Sequence, residues 1–320
     1  MVAVLVGAAA VTVAAEQLFR VWYFGEALPN TYYLKLTGHP LGVRLKTGIA
    51  AYGEWVSAGS WSLFLLVAYG EVRSRVLRTP QALMLVGVFI AQSAYSIYVG
   101  GDAWELFRYA NRYVSMALPC LILVAAKGAE QLTTDVWRGL RTVLRLGSEQ
   151  RLSRIGPFFV GLLVCVFVAW IPSNRKDFIR WQEKGIRHLE NDHEMVRLGL
   201  ELRRSTPPET VIAVVWAGAV PYFSHRQAVD LLGKNDPTIA RMHSRSEKFY
   251  PGHTKWNYEY SLGELAPDLI VQLWEVDAGD RKLIERLGYR PAPEGLGLFA
   301  APDLYAWFEA SSRYAHEAAE

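Results

Sequence analysis

The sequence has only two cysteines, Cys120 and Cys165, and both fall inside apolar runs. That excludes a disulfide framework, and small buried hydrophobes are the plain reading of the pair. The three-glycine dinucleotide fingerprint is also missing. The β-branched run at 211–216 leads only into Ala217-Gly218-Ala219, which removes the nucleotide-binding class. His188 and His193 bracket Glu190 and Asp192, but five-residue spacing does not set two histidines on one helix face, so no metal site is read there. No Ser/His/Asp arrangement, internal repeat or low-complexity tract stands out. The N-terminus lacks a positive n-region, so residues 1–18 read as a membrane span rather than a signal peptide. Beyond Pro172 no apolar run reaches span length. The net charge is only +3, with arginines concentrated in short loops, so a nucleic-acid partner is not implied.

What is present is segregated. Hydrophobic residues make up 51% of the chain and charged residues 20%, and the two kinds keep apart. Residues 1–18, 60–70, 82–99, 113–126 and 155–171 are apolar and almost free of charge. A span needs roughly 20 mainly apolar residues, which the run at 60–70 reaches only by taking in residues 52–57. The expected fold is an α-helical membrane domain of about five transmembrane helices (1–172), followed by an α/β soluble domain on the outer face (173–320). Arg73, Arg75 and Arg78, and then Lys127, Arg138, Arg141, Arg145, Arg151 and Arg154, mark two cytoplasmic loops. That leaves residues 28–54, 100–112 and everything after Pro172 outside. Lys35, Arg44, Lys46, Arg108 and Arg112 then sit on the outer side, where positive charge needs a specific task. The expected location is a bacterial plasma membrane, multi-pass, with an extracytoplasmic C-terminal domain.

The soluble part reads as alternating strand and helix, which favours a mostly parallel sheet covered by helices. A helix is expected over 178–204, strands over 211–216, 228–232, 268–274 and 296–300, and helices over 281–287 and 303–318. Asn235-Asp236-Pro237 is a helix start, with an Asp cap and Pro in the first turn.

Three outer-face clusters carry candidate chemistry. Leu28-Pro-Asn-Thr-Tyr-Tyr-Leu-Lys35 offers Tyr32 and Lys35 beside the membrane, or else a simple interfacial aromatic belt. In Gly100-Gly101-Asp102 through Arg112, a helix from Ala103 would put Arg108 and Arg112 four apart on one face as a phosphate clamp. Glu105 would pair with Arg108, with Asp102 near the helix start; the alternative is a solvated ion-pair network. In the soluble domain, Trp216 to Tyr222, Asp230 to Lys234, and Pro251-Gly-His253-Thr-Lys255 follow strands or lie in loops. Ligands of α/β sheets gather beyond the carboxyl ends of strands, and aromatics with Asp, Lys and His suit a sugar site, ordinary turns being the alternative.

The ordered set Tyr23-Phe-Gly-Glu-Ala-Leu-Pro-Asn-Thr-Tyr-Tyr33 with Lys35, Gly100-Gly-Asp102 with Asn111-Arg-Tyr113 and Leu118-Pro119, and Ala217-Gly-Ala-Val-Pro-Tyr222 with Asp230-Leu-Leu-Gly233 and Gly252-His253 resembles the GT-C superfamily of polytopic glycosyltransferases, in the arabinofuranosyltransferase-like subgroup. The resemblance implies a polyprenyl-phosphate sugar as donor, a membrane half that holds it, and an outer domain that helps bind a cell-envelope acceptor. No metal is assigned from the residues, and no cofactor is assigned beyond that donor. The family's catalytic carboxylate lies in a first outer loop that has no counterpart here, since Glu26 and Glu54 stand in another context. The chain is therefore expected to be the C-terminal part of such an enzyme, with membrane lipid around it and a second polypeptide or a larger membrane complex as partner. In the catalytic reading Asp102 is the best-placed base with Glu105 beside it. Arg108, Arg112, Lys35 and Tyr32 would hold the donor phosphate, and Tyr222, Asp230, Lys234, His253 and Lys255 the acceptor. The competing class is a non-catalytic scaffold subunit, which 11 Trp and 16 Tyr would suit as packing and interface residues. A sugar- or lipid-binding protein without turnover is the third.

Overall fold

The computed structural model describes residues 2–103, 111–143, 158, 161–162 and 189–317. Two compact units result, Pro40–Arg187 and a discontinuous one made of Met1–His39 with His188–Glu320. The first 39 residues thus group with the C-terminal domain, although hydropathy joins them to the membrane half.

The discontinuous unit begins with α1 (Val2–Phe24) and α2 (Asn30–Leu36). After His188 come α7 (Leu189–Ser205), β1 (Val211–Val214), α8 (Ala219–Ser224), β2 (Gln227–Asp230), α9 (Pro237–Arg241), β3 (Leu269–Ile270), α10 (Ala278–Arg286), β4 (Arg290–Pro291), β5 (Phe299–Ala300) and α11 (Pro302–Glu317). Asp236 caps α9, accepting from Thr238 N and Ile239 N, with Pro237 in the first turn as expected. The sheet order is β2-β1-β3-β5-β4. β2, β1 and β3 are parallel, whereas β5 runs antiparallel to both β3 and β4, so the sheet is mixed. β4 escapes sequence reading because two residues, one of them proline, show no alternation. Side chains alternate across the pleat. Ala213, Val229 and Ile270 pack with Tyr258, Leu262, Leu283 and Ile284. Ile212, Val214, Leu269 and Ala300 pack with Leu202, Val220 and Leu304 on the other face.

The second unit holds α3 (Leu41–Trp55), α4 (Trp61–Ser74), α5 (Pro80–Val99) and α6 (Arg112–Val143). A π-helical turn over Val56–Ser60 joins α3 to α4, so the short run at 60–70 belongs to a longer helical stretch, and much of the expected loop at 28–54 is helix. Thr79 caps α5 and Pro80 opens it, while Gly100 at φ 87° closes it in the left-handed conformation. α5 and α6 are each long and apolar enough to cross a membrane. At 1.5 Å per residue α6 is roughly 48 Å long, well beyond a hydrocarbon core of about 30 Å. Its polar second half, which reads as loop after residue 126, continues the helix.

Trp55, Phe89, Val114, Ala117 and Leu121 form the main core of this unit. Glycine sets the closest crossings. A Cβ on Gly128 would stand 1.7 Å from the Leu66 carbonyl oxygen, one on Gly70 3.0 Å from Gly128 Cα, and one on Gly48 2.3 Å from the Ile97 oxygen. Glycine at these positions is what lets the helix backbones approach this closely. Outward-facing Leu65, Leu83, Met84, Val88, Ile90, Met116 and Leu123 are exposed. At one end Asp135 of α6 takes Arg73 at 2.6 Å and Tyr69 at 2.7 Å, both from α4. Arg73 and Arg138 therefore share one end of the described bundle.

Candidate functional site

The site is assembled in the discontinuous unit by a turn that follows β2. Asp230, buried at the strand's end, accepts from Leu232 N at 3.0 Å and Asn235 N at 2.8 Å. Gly233 sits at φ 73°, and a Cβ there would press on Ile239 at 2.8 Å. The turn thus folds back tightly and presents Lys234. Asp230 is occupied in shaping it.

Residues 26–39 form a strap over this region. α2 packs on α9. Arg241 of α9 pairs with Glu26 at 2.6 Å and lies 4.5 Å over the Tyr33 ring. Asn30 Nδ2 donates to the Lys234 carbonyl at 3.4 Å. His39 Nε2 meets Ser244 Oγ at 2.7 Å. Burial, and then the charge of Lys255, lower the His39 pKa. Lys255 is the pin. Its ammonium, fully buried, donates to Tyr33 O at 3.0 Å, Thr37 Oγ1 at 2.7 Å and Ala240 O at 2.8 Å. Burial pulls its pKa down to about 8. With every donor used inside the fold, Lys255 holds the strap and faces no ligand.

The strap brings Lys35 to the loop that carries His253. Lys35 Cγ and Cε lie 3.7 Å from where a Cβ on Gly252 would stand, and Gly252 is at φ 76°, so glycine leaves the space the lysine fills. Lys234 Nζ is 3.3 Å from His253 Nε2. His253 Nδ1 lies 3.0 Å from the Pro251 carbonyl, an acceptor only, so Nδ1 carries the proton and Nε2 the lone pair that Lys234 meets. The Lys234 pKa is lowered, by burial first and also by the charge of Lys35, against the opposing pull of Asp230. The His253 ring lies 4.8 Å from Tyr250 and 5.7 Å from Trp274. Lys234 follows β2 and Trp274 follows β3, so the cluster lies beyond the carboxyl ends of parallel strands, where α/β folds gather ligands. A separate cavity of about 730 Å³ is lined by Arg245, Trp256, Tyr258, Asp277 and Asp280, among others.

The sequence candidates divide accordingly. Lys35, Lys234 and His253 come together. Tyr32 is exposed and stacks edge-on against Tyr33, and Tyr222 is exposed on α8 with its ring against Phe223. In the helical unit, Asp102 is buried, and both its oxygens take the guanidinium of Arg112 through Nε and Nη2. Glu105 and Arg108 lie outside the described residues, so their expected pairing and the expected Arg108–Arg112 clamp lie there too. Sequence reasoning missed Tyr250 and Trp274. Trp274 was within reach of the strand-end rule, because it ends the apolar run of the third strand.

Residues 182–313 match a domain of unknown function (DUF8728). No curated protein and no solved structure matches the chain. The matched stretch contains Lys234 and His253 and excludes Lys35.

Proposed function

We propose that the chain is a membrane glycosyltransferase, or the C-terminal part of one, moving a sugar from a polyprenyl-phosphate donor to a cell-envelope acceptor. The observation that carries this reading is the meeting of Lys35 and Lys234 beside His253. Two neighbouring lysine ammoniums beside a histidine set several N–H donors at one place, and a phosphate leaving group is an anion that such donors suit. In the displacement, the acceptor oxygen bonds to the anomeric carbon as the bond from that carbon to the phosphate oxygen breaks. The hydroxyl proton passes to a base. Lys35 and Lys234 would neutralise the charge growing on the departing phosphate, while Tyr250 and Trp274 offer ring faces beside it. A multi-pass protein of a bacterial plasma membrane with an extracytoplasmic domain fits α1. Its Val11, Leu18, Phe19, Trp22, Tyr23 and Phe24 are exposed, as suits a lipid-facing helix ending in an aromatic belt.

Asp102 favours a second reading. A base must reach the acceptor hydroxyl, but the Asp102 side chain is 0% exposed and held by Arg112. A non-catalytic subunit of a membrane complex needs no base.

The test is titration of the full-length chain in detergent with a polyprenyl phosphate, alongside Lys35→Ala and Lys234→Ala. Binding weakened about tenfold or more in each variant is expected, and undiminished binding in both removes the proposal. Transfer activity that survives in Asp102→Asn would take Asp102 out of the base role.

A further inference from the structure

Left-handed backbone positions are uncommon for residues other than glycine. Among its described residues the helical unit has Gly100 and Gly101 in this conformation, and also Arg75 at φ 52°. Both α4 and α5 close on such a residue. α5 uses glycine, as helix ends commonly do, whereas α4 uses an arginine whose Cβ crowds the following carbonyl oxygen.

The turn around Arg75 is fixed from inside. Arg75 N donates to Glu71 O at 2.9 Å, and Arg78 N donates to Arg75 O at 3.0 Å. Val76 is buried with Ala82 of α5 and Val124 of α6, while Arg75 and Arg78 are exposed. Residues 71–78 and 135–141 hold five arginines and two carboxylates. Both carboxylates are engaged. Glu71 accepts from Leu77 N at 2.8 Å, and Asp135 takes Arg73 at 2.6 Å and Arg138 at 3.4 Å. Arg75 and Arg78 pair with no carboxylate among the described residues.

Their place in the fold says what they meet. α5 is long and apolar enough to cross a membrane and starts at Pro80, two residues beyond Arg78. Both guanidiniums therefore stand in the open at the edge of a span, where the hydrocarbon gives way to headgroups. Basic loop residues set topology by their number, wherever in the loop they stand. That rule accounts for arginine in this loop but not for arginine at the strained position. Glycine at 75 would relieve the backbone and leave Arg73 and Arg78 to mark the side. A strained residue points to a local task for its side chain.

We propose that Arg75 and Arg78 bind the headgroups of anionic glycerophospholipids in the adjoining leaflet, through charge, on a turn that Val76 anchors. Each arginine near an anionic leaflet strengthens the attraction about fivefold. The proposal rests on the membrane part of the function proposed above. It needs neither glycosyl transfer nor the phosphate site at Lys35 and Lys234.

The experiment titrates the full-length chain in neutral detergent with dioleoyl phosphatidylglycerol or, as the net-neutral comparison, dioleoyl phosphatidylcholine, and follows thermal unfolding. A saturable rise in unfolding temperature with phosphatidylglycerol alone is expected for the wild type. Arg75→Gly is expected to need about fivefold more of that lipid for half the rise, and Arg75→Gly with Arg78→Ala about 25-fold more. Arg75→Lys keeps the charge and is expected to stay within about twofold of wild type. Without lipid, Arg75→Gly is expected to unfold at a higher temperature than wild type, because glycine takes the left-handed turn unstrained. Lys35→Ala with Lys234→Ala is expected to keep the wild-type response, which separates this surface from the phosphate site. Equal responses to the two lipids, a wild-type response in Arg75→Gly with Arg78→Ala, a lower lipid-free unfolding temperature in Arg75→Gly, or loss of the response in Lys35→Ala with Lys234→Ala would each overturn the proposal. A chain that fails to enter phosphatidylcholine nanodiscs would overturn the membrane reading and this proposal together.

Discussion

Replacing Lys255 with Met keeps the length of the side chain and removes the pin that holds residues 30–37. The ammonium makes three hydrogen bonds from a fully buried position. Bonds of a charged donor contribute on the order of 1.5–3 kcal/mol each. Against this stands the cost of burying the charge. A pKa near 8 against an ordinary value of 10.5 corresponds to roughly 3 kcal/mol at neutral pH. Tyr33 O keeps the Thr37 N–H and hydroxyl as donors after substitution, so Ala240 O is the acceptor left poorest. Loss and recovery together leave a deficit of about 1.5–6 kcal/mol, a range that contains the ~3 kcal/mol of a roughly hundredfold change in an opening equilibrium. Amide hydrogen exchange on the full chain in detergent reads this directly. Peptides covering residues 30–39 of Lys255→Met are expected to exchange about a hundredfold faster, with those over α10 unchanged. The pH dependence supplies an independent sign. The folded state binds fewer protons than the unfolded state between the lowered and the ordinary lysine pKa, so wild-type stability is expected to rise from pH 8 toward pH 10. Above about pH 10 the raised pKa values of Tyr258 and Tyr289, each near 12, reverse the slope. Lys255→Met should show a smaller rise below pH 10, the remainder coming from Lys234, whose pKa is also lowered. Unchanged protection of residues 30–39 together with the same pH slope in the variant would refute the reasoning.

Gly128→Val is expected to break the α4–α6 crossing, because its Cβ would fall 1.7 Å from a backbone oxygen that no rotamer can move; loss of the monodisperse detergent-solubilised peak in gel filtration checks it. Asp236→Ala removes a cap that satisfies two backbone donors and should cost about 1 kcal/mol in denaturant unfolding. His39 has a lowered pKa, so its neutral form is favoured in the fold; stability is expected to fall as pH drops below 6.5 and to fall less in His39→Gln.

Features set by neighbours in sequence were legible. The Asp236–Pro237 start, the Gly100 stop and the buried strands at 211 and 269 follow from capping, turn and hydropathy rules that act over a few residues. Features set by distant contacts were not. α6 continues past residue 126 because Tyr69 and Arg73 of another helix take up Asp135, which hydropathy alone reads as loop. Candidate residues were found by type, so Lys35, Lys234 and His253 were all picked out, but with Lys35 assigned to the donor and the others to the acceptor. Lys255 and Asp230 share that residue chemistry yet spend it on internal hydrogen bonds, a distinction only the folded partners reveal. Arg44 stood out in sequence solely as a charge on the outer side, and its burial against the Tyr98 carbonyl and ring is a matter of three-dimensional surroundings.

The strap also sets an order of events during synthesis. Tyr33 and the lysine that grips its carbonyl are 222 residues apart. At about 5–20 residues per second, the ribosome delivers that lysine roughly 10–45 s after α2 has emerged. For that interval α2 has neither its pin nor α9 to pack against. An N-terminal segment that must wait so long unpartnered is exposed to proteases and to misplaced contacts; a pause before residue 255 would lengthen that wait, and a truncation there would leave the segment without its pin.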